Sequence, residues 1–293
     1  MPAYLLLPLI ASWFYVLGVL LVKRSGDYGV GVYRTTFVAN IITGIVFLPL
    51  LLMGGSFPGW EHVWQPAVTA LLFVGGQVLT FQALNKGDVS IATPVLGVKI
   101  ILVALFTTLL TAESVPLKLW ISSVMSVAAI GLLNQGGQKK EHHHVTGTIV
   151  AAGAAALLFA LFDVFVQKYS PRWGAGRFLP LMMAMVAVFS LAFIPLFHAP
   201  LRAIPRPAWK WLVGGGFFMS AQAVLFISTL AIYGKATASN IIYSSRGLWS
   251  VVAVWLIGHW FKNQEQHLGA AVLKWRLAGA VLMLAAIVMV LGK

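Results

Sequence analysis

Ten stretches of mostly apolar residues follow one another along the chain, at 4–22, 30–53, 63–84, 89–110, 116–133, 145–166, 177–197, 209–232, 236–260 and 275–291. A helix needs roughly 17 to 25 such residues to cross about 30 Å of hydrocarbon. Within hydrocarbon every backbone N–H and C=O must be satisfied by the protein itself, so only helices and closed barrels span, and stretches this long are helical. The expected fold is an all-α integral membrane protein of ten transmembrane helices. Composition agrees: 9% of the residues are charged, against about 25% in soluble domains. The first apolar run has no basic segment ahead of it and reads as a span rather than a cleaved signal.

Lys and Arg number 20 against 7 Asp and Glu, an excess that in a soluble domain suggests nucleic acid. Here most of the basic residues lie between apolar runs, where they anchor helix ends at the headgroups. The partner they indicate is the lipid bilayer, and no nucleic-acid partner is expected. The absence of cysteine excludes disulfides, thiolate chemistry and Cys-ligated metals.

The polar stretch GLLNQGGQKKEHHHVTG at 131–147 lies close to the middle of the chain. It suggests a division into 1–137, a linker 138–146, and 147–293. The two halves resemble each other. LNKGDVSIATPVLGVK at 84–99 aligns with AIYGKATASNIIYSSR at 231–246 at a constant offset of 147, which matches Gly87 to Gly234 and Lys99 to Arg246. Trp64 and Gln77 correspond to Trp209 and Gln222, and FLP at 47–49 to FIP at 193–195. Five spans per half, an odd number, imply two inverted repeats, an arrangement that sets a solute site between the halves near the midplane.

With the two-by-five pattern, the turns ALNKGDVSIATPV and LAIYGKATASNII, and the acids Glu113 and Glu265 after the fourth span of each half, the chain resembles the drug/metabolite transporter superfamily in its ten-helix EamA-like branch. The resemblance covers nearly the whole chain. It implies a secondary transporter in the plasma (inner) membrane. It also implies a cavity lined by spans 1, 3, 4, 6, 8 and 9, with spans 5 and 10 peripheral and available for a homodimer. Members carry varied metabolites, so membership does not select one.

Away from the first few residues of each span, four fixed charges lie at membrane depth: Arg34, Lys99, Asp163 and Arg246. Such residues are costly and mark functional positions. Arg34, near a span end, has a stem long enough to snorkel to the headgroups. The shorter Asp163 needs protein, water or a basic partner, and is the carboxylate available for ion pairing or proton coupling. Lys99 and Arg246 lie about ten residues, or ~15 Å, from their nearer span ends, too deep for easy snorkelling. With one acid for two deep cations, at least one cation is expected to lack a permanent carboxylate.

Ser239, Tyr243, Arg246 and Ser250 recur at helical spacing as a polar stripe. A guanidinium binds a carboxylate or phosphate bidentately and an ammonium adds a point charge. Lys99 and Arg246 therefore point to a small anionic or carboxylate-bearing solute. Gln77 and Gln222 are candidates to bond solute or neighbouring helices, and Tyr15 and Trp13 to form a wall or gate. Gly75–Gly76 and Gly214–Gly216 read as sites of close helix approach, since no strand–loop–helix context supports a phosphate loop. His142–His144 lies in a polar linker and cannot present three ligands to one metal from a regular helix. No constellation of acids, nucleophile and base indicates an enzyme, and no cofactor is expected. The competing reading is a flippase whose basic cavity receives a phosphate-bearing lipid headgroup.

Overall fold

The computed structural model describes residues 2–85, 89–111, 113–135, 145–257 and 270–292, and the regular structure there is entirely helical. The first six helices are α1 (Ala3–Gly26), α2 (Val32–Phe47), α3 (Trp64–Asn85), α4 (Val89–Gly97), α5 (Lys99–Leu110) and α6 (Leu117–Leu133). The next six are α7 (Val145–Trp173), α8 (Ala175–Phe189), α9 (Arg206–Tyr233), α10 (Ala236–Tyr243), α11 (Arg246–Ile257) and α12 (Ala270–Leu291). Eight helical segments among the described residues are long and apolar enough to cross a membrane. The apolar α6 is shorter, and α10 with α11 occupies the ninth expected span. Lys139, Lys140, His142–His144 and Glu265 lie outside the described residues.

The same local devices recur in both parts of the chain. α2 and α8 each begin after a glycine with positive φ, Gly31 at 78° and Gly174 at 76°, a conformation that a side chain disfavours. Each then tightens into a 3-10 segment, Leu48–Met53 and Ser190–Leu196, and these contain Pro49 and Pro195 of the FLP and FIP matches. The fourth and ninth spans were expected to be continuous, but both are broken. Val98 donates its N–H to Val95 three residues back, and Ser245 does so to Ile242, each at 3.1 Å. These tight i→i+3 turns end one helix and begin the next. Pro94 sits in α4, but its counterpart at the same offset is Ile241, so proline does not account for a break the two spans share. The breaks fall immediately before Lys99 and Arg246.

Helices of the first part pack chiefly on helices of the second: α1 on α9, α3 on α7, α6 on α12. Lipid tails are as apolar as leucine, so association relies on close packing rather than on exclusion of water. Small residues permit it. A Cβ on Gly215 would lie 2.9 Å from the backbone N of Val22, and one on Gly279 2.9 Å from the carbonyl O of Ala129. The largest buried cluster includes Trp173, Phe178, Met182 and Met183 beside Phe226 and Leu230.

Contacts sort the helix ends onto two faces. One face gathers Tyr4 against Tyr233, Ser56 on the Trp173 carbonyl, and Lys118 on the Gly292 carbonyl. The other gathers the end of α1, the α2 start, the α8–α9 connection and the end of α6.

Candidate functional site

The two helix breaks bring the candidate residues together, but in two different environments. Lys99, at the first turn of α5, sets its Nζ 2.7 Å from Asp163 Oδ2 of α7. Asn240 of α10 donates to the same oxygen at 2.7 Å and to the Ala236 carbonyl at 3.0 Å. The rings of Phe159 and Phe226 stand 5.9 and 5.6 Å from the ammonium. Asp163 is 1% exposed, and its Oδ1 has no hydrogen-bond partner among the described residues. Lys99 is thus a neutralised cation, held where a buried charge is tolerable only because it is paired.

Arg246, at the first turn of α11, has no carboxylate within ion-pair distance among the described residues. Its guanidinium lies 4.6 Å from the ring centres of both Tyr15 and Tyr243, a cation–π arrangement. Tyr243 stacks on Phe226 at 4.4 Å and donates its hydroxyl to Gln222 Oε1 at 2.7 Å. Ser245, in the break, donates to Ser12 of α1 at 3.1 Å, pinning the turn that presents Arg246.

A cavity of about 470 Å³ leads to Arg246, a size within the usual range of small-molecule sites. Tyr15 and Lys23 of α1 both line it, so it extends at least ~12 Å along that helix. With Leu84, Asn134 and Arg276 also in its wall, it opens on the face where α1 and α6 end. Lys23, Arg246 and Arg276 contribute three cations to this lining, and no acid joins them among the described residues. Thr80, Thr93, Asn134 and Ser250 supply neutral polar groups.

The remaining candidates separate from this site. Lys99 is not part of the cavity wall: Asp163 holds its ammonium to one side. Gln77 exchanges two 3.0 Å hydrogen bonds with Asn40 of α2, a closed amide pair between helices. Trp13 is half exposed and tilts against Trp249 at 4.6 Å. Ser239 is buried, and its hydroxyl has no partner among the described residues; Ser250 alone of these stays in the cavity wall, donating to the Gly247 carbonyl at 2.8 Å. Arg34 is buried and reaches back towards its span end, where its guanidinium bonds the carbonyls of Val30 and Gly29, the latter at 2.7 Å. The guanidinium thereby fastens the turn before α2.

Sequence reasoning passed over Asn240, Lys23 and Arg276. Asn240 had a readable signal, an amide inside an apolar span, where polar groups bond across helices. Lys23 and Arg276 read as headgroup anchors, and only the packing of α1, α6 and α12 sets them along one cavity.

Residues 1–135 match the model of the EamA-like transporter family. The search of curated proteins gave no match. Among solved structures, a protein known from its crystal structure superimposes with a TM-score of 0.73 at 16% identity, over 99% of this chain and 97% of its own. That likeness is one of fold.

Proposed function

This chain belongs to the EamA-like branch of the drug/metabolite transporter superfamily, and from that premise we propose that it is a secondary transporter for a small anionic metabolite, one bearing a carboxylate or phosphate. The observation that carries the reading is the wall of the 470 Å³ cavity, where Lys23 and Arg246 stand with no acid among the described lining residues. Such a wall concentrates anions and repels cations. Arg246 is its innermost cation and the one with planar donors for an oxyanion. Tyr15 and Tyr243 hold the guanidinium in orientation, and an arriving anion adds the charge partner that the rings do not supply. In the inverted-repeat reading of the two halves, α4–α5 and α10–α11 are the broken helices whose movement exchanges access between the faces.

The Lys99–Asp163 pair serves as the coupling group. Asp163 is a buried carboxylate that joins α5, α7 and α10 through Lys99 and Asn240, so a change in its charge acts on both broken helices. If Asp163→Asn left a pH-dependent flux unchanged, this coupling role would be lost.

The test is flux in proteoliposomes preceded by thermal-shift screening with phosphorylated, carboxylate, zwitterionic and cationic metabolites. Anions are expected to stabilise the protein, and Arg246→Lys to weaken the best of them about tenfold or more by removing the bidentate donors. Stabilisation by cations or neutral sugars with no effect of any anion would overturn the reading. Translocation of a phosphate-bearing lipid without flux of soluble anions would favour the flippase.

A further inference from the structure

On the face opposite the cavity mouth, three polar side chains close the same column of residues. Glu113 follows α5, Lys235 lies in the α9–α10 turn, and Gln167 sits one helical turn beyond Asp163 on α7. Lys235 Nζ is 2.6 Å from Glu113 Oε1. Gln167 Nε2 donates to Glu113 Oε2 at 2.8 Å, while its Oε1 accepts the backbone N–H of Ala236 at 2.9 Å. One carboxylate therefore ties the end of α5 to α7 and, through Gln167, to the first turn of α10.

These bonds are not surface decoration. The Ala236 N–H is one of the helix-start donors that no intrahelical carbonyl can satisfy, and the buried Gln167 amide satisfies it. Outside the cluster is a hollow of about 520 Å³, lined by Glu113, Gln167, Lys168 and Lys235. Inside it come Asp163, Asn240 and Lys99, then Tyr243 and Arg246, then the opposite cavity. The cluster is thus the last polar layer between the solute site and this face.

α10 ties the layers together. It is an eight-residue helix, buried throughout, about 12 Å long. It is held at three heights: Ala236 by Gln167, Asn240 by Asp163, and Tyr243 against Arg246. Gly234, at φ 59°, and the Ser244–Ser245 break bound it, so neither end continues into a neighbouring helix and these contacts alone fix its position.

We propose that Glu113, Gln167 and Lys235 form the gate that keeps this face closed while the opposite cavity is open. Passage of solute requires the Glu113–Lys235 and Gln167–Ala236 contacts to part, with α10 moving away from α7. The gate rests on the transport reading, but its test needs no solute, so a failed flux assay and a failed gate are told apart.

The chain contains no cysteine, so a single introduced thiol reports alone. Thr237, 3% exposed, lies just behind the cluster. Thr237→Cys protein in nanodiscs is exposed to a water-soluble maleimide, alone and combined with Glu113→Gln or Lys235→Met. Slow labelling of the reporter alone is expected, with at least tenfold acceleration by either second substitution. A Ser220→Cys reporter, buried between α2 and α9, should keep its slow rate in both backgrounds. Unchanged labelling at Thr237, or equal acceleration at Ser220, would overturn the gate, the latter by showing general loosening of the fold.

Discussion

At the scale of single residues, the membrane interior separates cations by their partners rather than by their depth. Lys99 and Arg246 stand at matched positions, yet one is paired with Asp163 and the other is flanked by tyrosine rings. Removing one partner of a buried pair leaves an uncompensated charge, which costs about 3 kcal/mol or more. Asp163→Asn is therefore expected to lower thermal stability in detergent clearly, and Lys99→Met combined with Asp163→Leu to recover most of the loss. A double variant as unstable as Asp163→Asn would mean that the pair is not what the single substitution damages. Matched positions were legible from the repeat. The partners were not, because Asp163 reaches Lys99 across 64 residues of chain and Asn240 reaches Asp163 across 77, and only packing brings them there.

At the scale of elements, helix pairs meet where the chain offers no side chain. Gly279 in α12 faces the backbone of α6, with the Ala129 carbonyl and the Leu133 N–H each 2.9 Å from an added Cβ. Backbone cannot step aside, so Gly279→Ala is expected to cost about 1–3 kcal/mol. Gly131 on α6 has nothing within 4 Å of such a Cβ. Gly131→Ala should be neutral or gain some tenths of a kcal/mol from helix propensity. Thermal unfolding of the two variants side by side checks the contrast, and equal losses would refute it. The extent of the spans follows from hydropathy, whereas the breaks before Lys99 and Arg246 do not. A 3-10 turn inside an apolar run changes one hydrogen bond and no composition, so hydropathy passes over it.

At the scale of the whole molecule, the two parts of the chain interdigitate: α1 lies on α9, α3 on α7, and α6 on α12. Residues 1–137 and 147–293 expressed as separate chains should associate into one stable particle when made together, whereas either alone should aggregate, as size-exclusion chromatography will show. A well-behaved half on its own would contradict the packing. The sequence by itself determined that this chain is helical, is built of apolar runs long enough to cross a bilayer and carries fixed charges inside those runs, because each of these follows from hydropathy, length and spacing along one dimension. Only the tertiary structure decided what those charges meet. Whether a deep cation meets a carboxylate, an aromatic ring or a cavity depends on contacts between distant helices, and span-end residues such as Lys23 and Arg276 become part of a site only when α1, α6 and α12 enclose it.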